Sequence, residues 1–334
     1  MAVPDIWSSS PPPWHLRLLA SFFGAVASTR RWLYRKGWLR STRVPAPVIV
    51  VGNLTAGGSG KTPLVMALVE LLRARGWRPG VISRGYGRGT KGLYVVDADS
   101  DAAEVGDEPL LIARQCGVPV AVAEWRADAA MALLSRRDCD VLIADDGLQH
   151  YGLVRDIEIA VIDGQRGFGN GCLLPAGPLR EPVSRLERCH FVVVNGDSGL
   201  SLPSSVRTAS MHMALREPRA LKDRVSRPWS AFTDRPVHAL AGIGNPERFF
   251  TQLEAMGLTI HRHPMPDHHA IVAADLRFDK PGALLMTAKD AVKCAGIAPD
   301  DSWVVDAEAA LSEGFAASLY ALLDALPRAQ HEDV

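Results

Sequence analysis

Three things are scarce in this chain of 334 residues. Cysteine is the first: five residues, at 116, 139, 172, 189 and 294, odd in number and never spaced Cys-x-x-Cys. That argues against a disulfide framework or a zinc site and fits a reducing compartment. Net charge is the second. Thirty-seven Lys and Arg balance 37 Asp and Glu, so nothing draws the whole protein to nucleic acid and no such partner is expected. Long apolar runs are the third. The longest, residues 18–27 (LLASFFGAVA), is too short to span a bilayer. The start lacks a charged segment followed by an apolar core, so no signal peptide is expected. What remains, 47% hydrophobic and 22% charged, is the composition of a folded globular protein long enough for two domains.

Acid is also scarce locally. Asp5 is the only carboxylate before Glu70, whereas Lys or Arg stands at 17, 30, 31, 35, 36, 40 and 43. After a loose leader ending in Pro11–Pro13, residues 14–40 have a helical pattern. Leu18, Leu19, Phe22, Val26 and Leu33 share one face, and cations gather near the end, with Gly37 as the stop. Two readings stand together here: a helix packed on the body, or an interfacial helix with cations on anionic headgroups.

Beyond residue 45 short apolar runs alternate with helical patterns. Residues 46–53, 79–83, 118–123, 139–146, 157–163 and 191–195 are strand-like; 61–76, 107–115 and 126–137 are helical. This predicts an α/β fold with a parallel sheet covered by helices on both faces. Residues 197–230 look like a polar linker, and a second, smaller α/β lobe follows, with strands expected at 237–243, 259–264, 283–288 and 302–307 and helices at 246–257 and 314–326. The expected division is a basic amphipathic segment at 1–40, a phosphate-loop domain at 41–222 and a smaller unit at 223–334.

The chemistry begins at VGNLTAGGSGKTP, residues 51–63. It departs from Gly-x-x-x-x-Gly-Lys-Thr only in Thr55 at the first glycine. It follows a strand and opens a helix, as a phosphate cradle requires. In the segment Thr55, Ala56, Gly57, Gly58, Ser59 and Gly60, the glycines let backbone N–H groups turn inward, and the helix N-terminus adds partial positive charge. Lys61 would neutralise β/γ-phosphate charge and Thr62 would hold Mg²⁺. The apolar run 141–144 ends in Asp145 and Asp146, a carboxylate pair for the metal at the edge where open α/β sheets bind ligands. No Asn/Thr-Lys-x-Asp guanine selector has the right spacing, which favours ATP. Two further segments stand out. GDEP (106–109) puts Asp107 at a helix start, either as a cap or as a base. PDHHA (266–270) offers His268 and His269, either surface imidazoles or a partner orienting that base. Zinc binding by the histidine pair would need ligands with no evident source.

Eight segments in order, VGNLTAGGSGKTP, SRGYGR (83–88), VGDEP (105–109), DDGLQH (145–150), GNGCLLPAGPLREP (169–182), AGIGNPERFF (241–250), PDHHA and TAKDAVK (287–293), make the chain resemble the tetraacyldisaccharide 4′-kinase family. In that family Thr55 is the usual residue at its position. The resemblance implies two α/β lobes with the site between them. It also implies transfer of the ATP γ-phosphate to the 4′-hydroxyl of a tetraacylated glucosamine disaccharide 1-phosphate, with Mg²⁺. The expected location is the cytoplasmic face of the inner membrane, held peripherally on an anionic surface through the amino-terminal part. It assigns Asp107 as catalytic carboxylate and His268 as its partner, in preference to His269. Gln149, His150, Arg180 and Glu181 fall in active-site segments, and Arg84 and Arg88 are candidates for phosphate. The family often has Glu where this chain has Ala288. Two rivals remain: a membrane-switching ATPase, in which Ala56 stands where many such proteins have lysine, and a kinase of a soluble acceptor, which leaves the basic amphipathic start unexplained.

Overall fold

The computed structural model describes residues 5–7, 11–136, 139–266, 269–294 and 296–327. The elements in order are α1 (Trp14–Arg35), β1 (Val48–Gly52), α2 (Lys61–Ala74), β2 (Pro79–Ser83), β3 (Tyr94–Val96), α3 (Ala102–Val105), α4 (Asp107–Cys116), β4 (Val120–Val122), α5 (Arg126–Ser135), β5 (Val141–Ala144), β6 (Ile157–Asp163), β7 (Phe191–Asn195), β8 (Thr208–Leu215) and β9 (Arg219–Ala220). The second half adds β10 (Val237–Ala241), α6 (Pro246–Ala255), β11 (Ile260–Pro264), β12 (Ala283–Thr287), α7 (Ala288–Cys294), β13 (Ser302–Val305), β14 (Ala307–Leu311) and α8 (Phe315–Asp324).

Nine strands form one sheet in the order β14-β8-β7-β6-β1-β5-β2-β4-β3. Its interior is parallel; only the edge strands β14 and β3 run antiparallel to their neighbours. β1, β2, β5, β6 and β7 are buried along their whole length, which is why they are near-continuous apolar runs. One face is covered by α2, α4 and α8 through Leu64, Leu68, Leu72, Ile112 and Leu319. The other is covered by α5 through Ala129, Ala130 and Leu133. The second sheet, β11-β10-β12-β13-β9, packs Phe249, Phe250 and Leu253 of α6 on one side and Ala291 and Cys294 of α7 on the other. The two-lobe α/β architecture is therefore as expected.

Several expectations need correction. Residues 197–230 are not a linker, since β8 lies inside the larger sheet between β7 and β14. Its inward residues Ala209 and Met211 are buried while Thr208, Ser210 and His212 are exposed, and that one-sided pattern dilutes the apolar signal. A single cut at 222/223 does not separate the sheets. β9 already belongs to the smaller one, and β14 and α8 return to the larger one. β14 is Ala-Glu-Ala-Ala-Leu, a composition that favours helix, and only pairing with β8 makes it a strand. The described part of the leader is held to the body: the Trp7 indole donates to Pro175 O at 3.1 Å and Asn170 N donates to Trp7 O at 2.8 Å.

Helix α1 ends before Gly37, whose φ of 73° lies in the left-handed region. One face sits on the body. Ala20 is buried, and Gly24 lies so close to Leu173 that a Cβ would come within 2.6 Å of its Cδ1. The opposite stripe, Trp14, Leu18, Leu19, Phe22 and Val26, is exposed, with Phe22 at 72%. Leu33, expected on that stripe, is half-buried. The helix thus packs on the body along one face and leaves an apolar stripe exposed on the other. Among the described residues no helix is long and apolar enough to cross a membrane.

Candidate active site

The site is built at the carboxyl ends of four adjacent parallel strands. β1 delivers the glycine loop, β5 delivers Asp145 and Asp146, β6 delivers Asp163, and β7 delivers Asn195. Side chains from these strand ends and from the turn after β6 seize three successive carbonyls of the loop. Asn53 Nδ2 donates to Gly57 O at 3.1 Å, the Arg166 guanidinium donates to Gly58 O, and Asn195 Nδ2 donates to Ser59 O at 3.1 Å. In a trans peptide the following N–H points opposite to the carbonyl. The amides of Gly58, Ser59 and Gly60 are thereby turned away from these grips, ready for an anion. Gly60 caps α2 at φ 92°, and a Cβ there would lie 2.4 Å from Asn195 Nδ2, so glycine is required twice over. The first loop position needs no such freedom: Thr55 bridges to Leu179 in antiparallel pairing, and Ala56 N donates to Pro178 O at 2.8 Å. That is the physical reason threonine serves where glycine is usual.

Lys61 Nζ lies 3.6 Å from Asp146 Oδ1, and Arg180 Nη1 lies 3.5 Å from Asp146 Oδ2. Burial opposes charge on Asp146, but Lys61, Arg180 and Arg126 outweigh it and hold the carboxyl below its ordinary range. Asp145 behaves oppositely. Burial, then Glu108 and Asp146, push it up to about 7. Its Oδ1 is buried with no hydrogen-bond partner among the described residues. A buried, unpartnered carboxylate oxygen beside a phosphate cradle and a threonine hydroxyl suits a hard divalent cation, so Thr62, Asp145 and Asp146 fit Mg²⁺. Arg126, itself buried, fixes this turn by donating to Asp145 O at 3.1 Å and Asp146 O at 2.7 Å.

Across the loop a cleft of about 230 Å³ opens between the lobes. Met66, Leu111, Met213 and Phe249 give it an apolar wall beside Gly58–Thr62, and Glu108 and Lys289 bring charge. The lobes touch where Gly58 meets Gly244; a Cβ on Gly58 would lie 3.2 Å from Gly244 Cα. Asp107 opens α4 and is buried. Its Oδ2 lies 3.4 Å from Lys293 Nζ and 3.8 Å from Lys289 Nζ, and Lys289 also pairs with Glu108 at 3.0 Å. Asp290, fully buried, accepts from Gly242 N at 2.9 Å and Thr287 Oγ1 at 2.6 Å, locking α7 so that both lysines face α4. His268 lies outside the described residues. His269, the less favoured of the pair, bonds Asp275 Oδ2 at 2.9 Å.

The remaining candidates divide. His150 sits near Arg30, Arg84, Arg126 and Arg155, and burial, then these cations, lower its pKa to about 4. Arg84 is exposed at this rim, whereas Arg88 is folded into its own loop, donating to Gly92 O at 2.7 Å. Gln149 donates to Asn53 O at 3.0 Å and so supports the phosphate loop. Glu181 is buried beneath the rim, where it accepts from Tyr151 Oη at 2.6 Å and pairs with Arg31 of α1 at 3.3 Å. It ties the amino-terminal helix to the body rather than facing the cleft.

A profile of the tetraacyldisaccharide-1-P 4′-kinase family matches residues 12–324. The chain belongs to the tetraacyldisaccharide 4′-kinase family. Among relatives bearing that name, the protein of Azoarcus sp. is 50% identical over 98% of this chain and 95% of its own length. That of Nitrosococcus oceani is 48% identical over 95% and 92%. The solved structure of LpxK from Aquifex aeolicus in complex with ATP superposes with a TM-score of 0.79 at 29% identity, over 92% of this chain and 98% of that one. The motifs of this kinase family are legible in the sequence, whereas the contacts of Asn53, Asn195 and Arg166 with the loop, of Arg126 with the Asp145–Asp146 turn and of Lys293 with Asp107 are not. Asn53 and Asn195 carried a signal, a polar residue ending a buried strand. Lys293 lies one helical turn after Lys289. Arg126 and Arg166 gave none.

Proposed function

We propose that this protein transfers the γ-phosphate of ATP to the 4′-hydroxyl of a tetraacylated glucosamine disaccharide 1-phosphate. The observation that carries the reading is the cleft itself. One wall presents an amide cradle with Lys61, Thr62, Asp145 and Asp146, and the adjoining helices α4 and α7 bring a buried Asp107–Lys289–Lys293 cluster beside it. Phosphoryl transfer needs positioning and charge neutralisation more than covalent chemistry. The cradle and Lys61 hold the triphosphate, and the apolar wall suits the base. Thr62, Asp145 and Asp146 would hold Mg²⁺, which would supply neutralisation of phosphate charge. Asp107 accepts the proton of the attacking hydroxyl, with His268 as its expected partner, while Lys293 and Lys289 hold its carboxylate in place. Joining of the lobes at Gly58 and Gly244 excludes water, the competing acceptor.

The acceptor is a lipid, and the exposed stripe of α1 is the matching surface. Trp14, Leu18, Phe22 and Val26 enter the acyl boundary, with Arg30, Arg35 and Lys36 on anionic headgroups at the cytoplasmic face, where ATP is available. Arg31 and Tyr34 of the same helix reach Glu181 and Tyr151, which ties the helix to the site rim. The test is incubation with Mg-ATP and tetraacyldisaccharide 1-phosphate in mixed micelles, read by mass spectrometry. One added phosphate, absent with Lys61→Ala, is expected. ATP hydrolysis without lipid product would overturn the reading in favour of an ATPase.

A further inference from the structure

Of the three side chains that grip the phosphate loop, one is itself held from the other lobe. Asn53 follows the strand that carries the loop, and Arg166 pairs at 3.1 Å with Asp163 of its own turn. Asn195, at the end of β7, differs. Its Nδ2 donates to Ser59 O at 3.1 Å, and its Oδ1 accepts from Arg248 Nη1 at 2.8 Å. Arg248 stands in the first turn of α6, which packs on the smaller sheet. Its backbone is fixed there. Pro246 opens the helix, the Asn245 side chain accepts from Arg248 N at 3.4 Å, and the neighbouring Phe249 and Phe250 are buried in the core of that lobe. The guanidinium lies against the backbone of Gly196, where φ is 87° and a Cβ would come within 3.2 Å of Nη2. It lines the cleft together with Ser59, Gly60 and Lys61. A cation in a cleft built for a triphosphate is thus bonded to a neutral amide.

We infer that Arg248 is a positioning residue for the phosphate loop: acting through Asn195, the smaller lobe sets the Ser59 carbonyl and with it the Gly60 amide that meets the triphosphate. The inference rests on the nucleotide reading of this cleft. A side-chain amide can present either its oxygen or its nitrogen to a neighbour. The Ser59 carbonyl only accepts, so it needs the nitrogen. A guanidinium only donates, so it takes the oxygen. The two demands agree, and each enforces the other. Without Arg248, nothing opposes a turn of the amide that sets its oxygen against Ser59 O, acceptor against acceptor. Asn195 is buried, so an oxygen deprived of its donor is costly there. Asn53 and Arg166 hold Gly57 O and Gly58 O from within the larger lobe, so only the last amide before Lys61 depends on the smaller one. By linkage, a nucleotide that uses this amide favours the lobe arrangement in which Arg248 reaches Asn195, and that arrangement favours the nucleotide by the same factor.

The full-length chain in detergent micelles is titrated with Mg-ATP by calorimetry as wild type, Arg248→Met, Arg248→Lys, Asn195→Ala and the Arg248→Met/Asn195→Ala double variant, with the thermal midpoint of each measured without nucleotide. Arg248→Met is expected to raise Kd about tenfold, the loss of one hydrogen bond from a charged donor. Arg248→Lys, which keeps a donor for Asn195 Oδ1, should stay within about threefold of wild type. Asn195→Ala should also raise Kd about tenfold, and adding Arg248→Met to it should change Kd by less than about twofold, because the group it serves is gone. Losses that multiply to roughly a hundredfold in the double variant would overturn the relay and make Arg248 an independent contact. An unchanged Kd in Arg248→Met would overturn it outright. A lysine variant as weak as the methionine variant, with both midpoints equally lowered, would overturn it too and mark Arg248 as an ordinary lobe contact. Wild type that binds no Mg-ATP would instead overturn the nucleotide reading, and the relay with it.

Discussion

The two ends of the site are built by opposite strategies. At the nucleotide end the loop is half-buried and pinned from below: three side chains, Asn53 and Asn195 among them buried, grip three consecutive carbonyls, and Gly60 leaves no space for a methyl group. At the rim beside the Asp145–Asp146 turn the exposed Trp125 and Arg84 stand on loops and Tyr34 on α1, with an open floor at Gly152. A triphosphate has one shape and a fixed set of acceptor oxygens, so a rigid amide cradle serves it. On the proposed function the acceptor is a lipid disaccharide arriving from a surface, and exposed aromatic and guanidinium groups suit it without enclosing it.

Breaking the nucleotide end has the largest expected effect. Lys61→Ala removes the charge that the proposed mechanism places at the transferring phosphoryl group and should lower kcat by roughly 10³-fold in a steady-state assay. Gly60→Ala should abolish ATP binding measured by calorimetry, because both its φ and the Asn195 side chain forbid a Cβ. Next comes the boundary between the ends. Asp107→Ala should cost on the order of 10² to 10⁴ in kcat while leaving ATP affinity within about twofold. Equal loss of both would mark Asp107 as structural. At the membrane face, Phe22→Glu together with Leu18→Glu should release the protein from anionic vesicles in flotation. Turnover of a water-soluble acceptor should be unchanged, since both side chains are exposed and remote from the phosphate loop in sequence and fold.

The smallest effect is a pH dependence. His150 is held neutral, with its pKa lowered to about 4 by burial and the surrounding arginines. The unfolded chain takes up a proton near the ordinary histidine value of about 6.5, and the folded chain does not. The stability contributed is therefore full above that value and lost as pH falls toward 4. His150→Asn should flatten the thermal midpoint against pH over that window, measured by differential scanning fluorimetry.

How much of this was legible in residue order depends on the kind of contact. The strands β2, β6 and β7 end where their apolar runs end, because a strand buried on both faces must be apolar throughout. β8 and β14 were not legible, since one is polar on its open face and the other is rich in alanine. The glycine loop, Lys61, Thr62, Asp145 and Asp146 were legible as candidates, because a phosphate-loop motif is one contiguous stretch and the two carboxylates end the neighbouring strand. Glu181 looked like a cleft residue and instead holds α1, a distinction that depends on Arg31, 150 positions away.

The sequence by itself determined the layered α/β fold, the nucleotide loop and the kinase family, since each rests on local pattern or on motifs in order. Tertiary structure alone decided which side chains pin the loop, that Lys289 and Lys293 flank Asp107, and that Trp125, Tyr34 and His150 converge over Gly152. Those groups lie on separate elements far apart in the chain. Their approach is set by sheet order and helix packing, which no local spacing encodes.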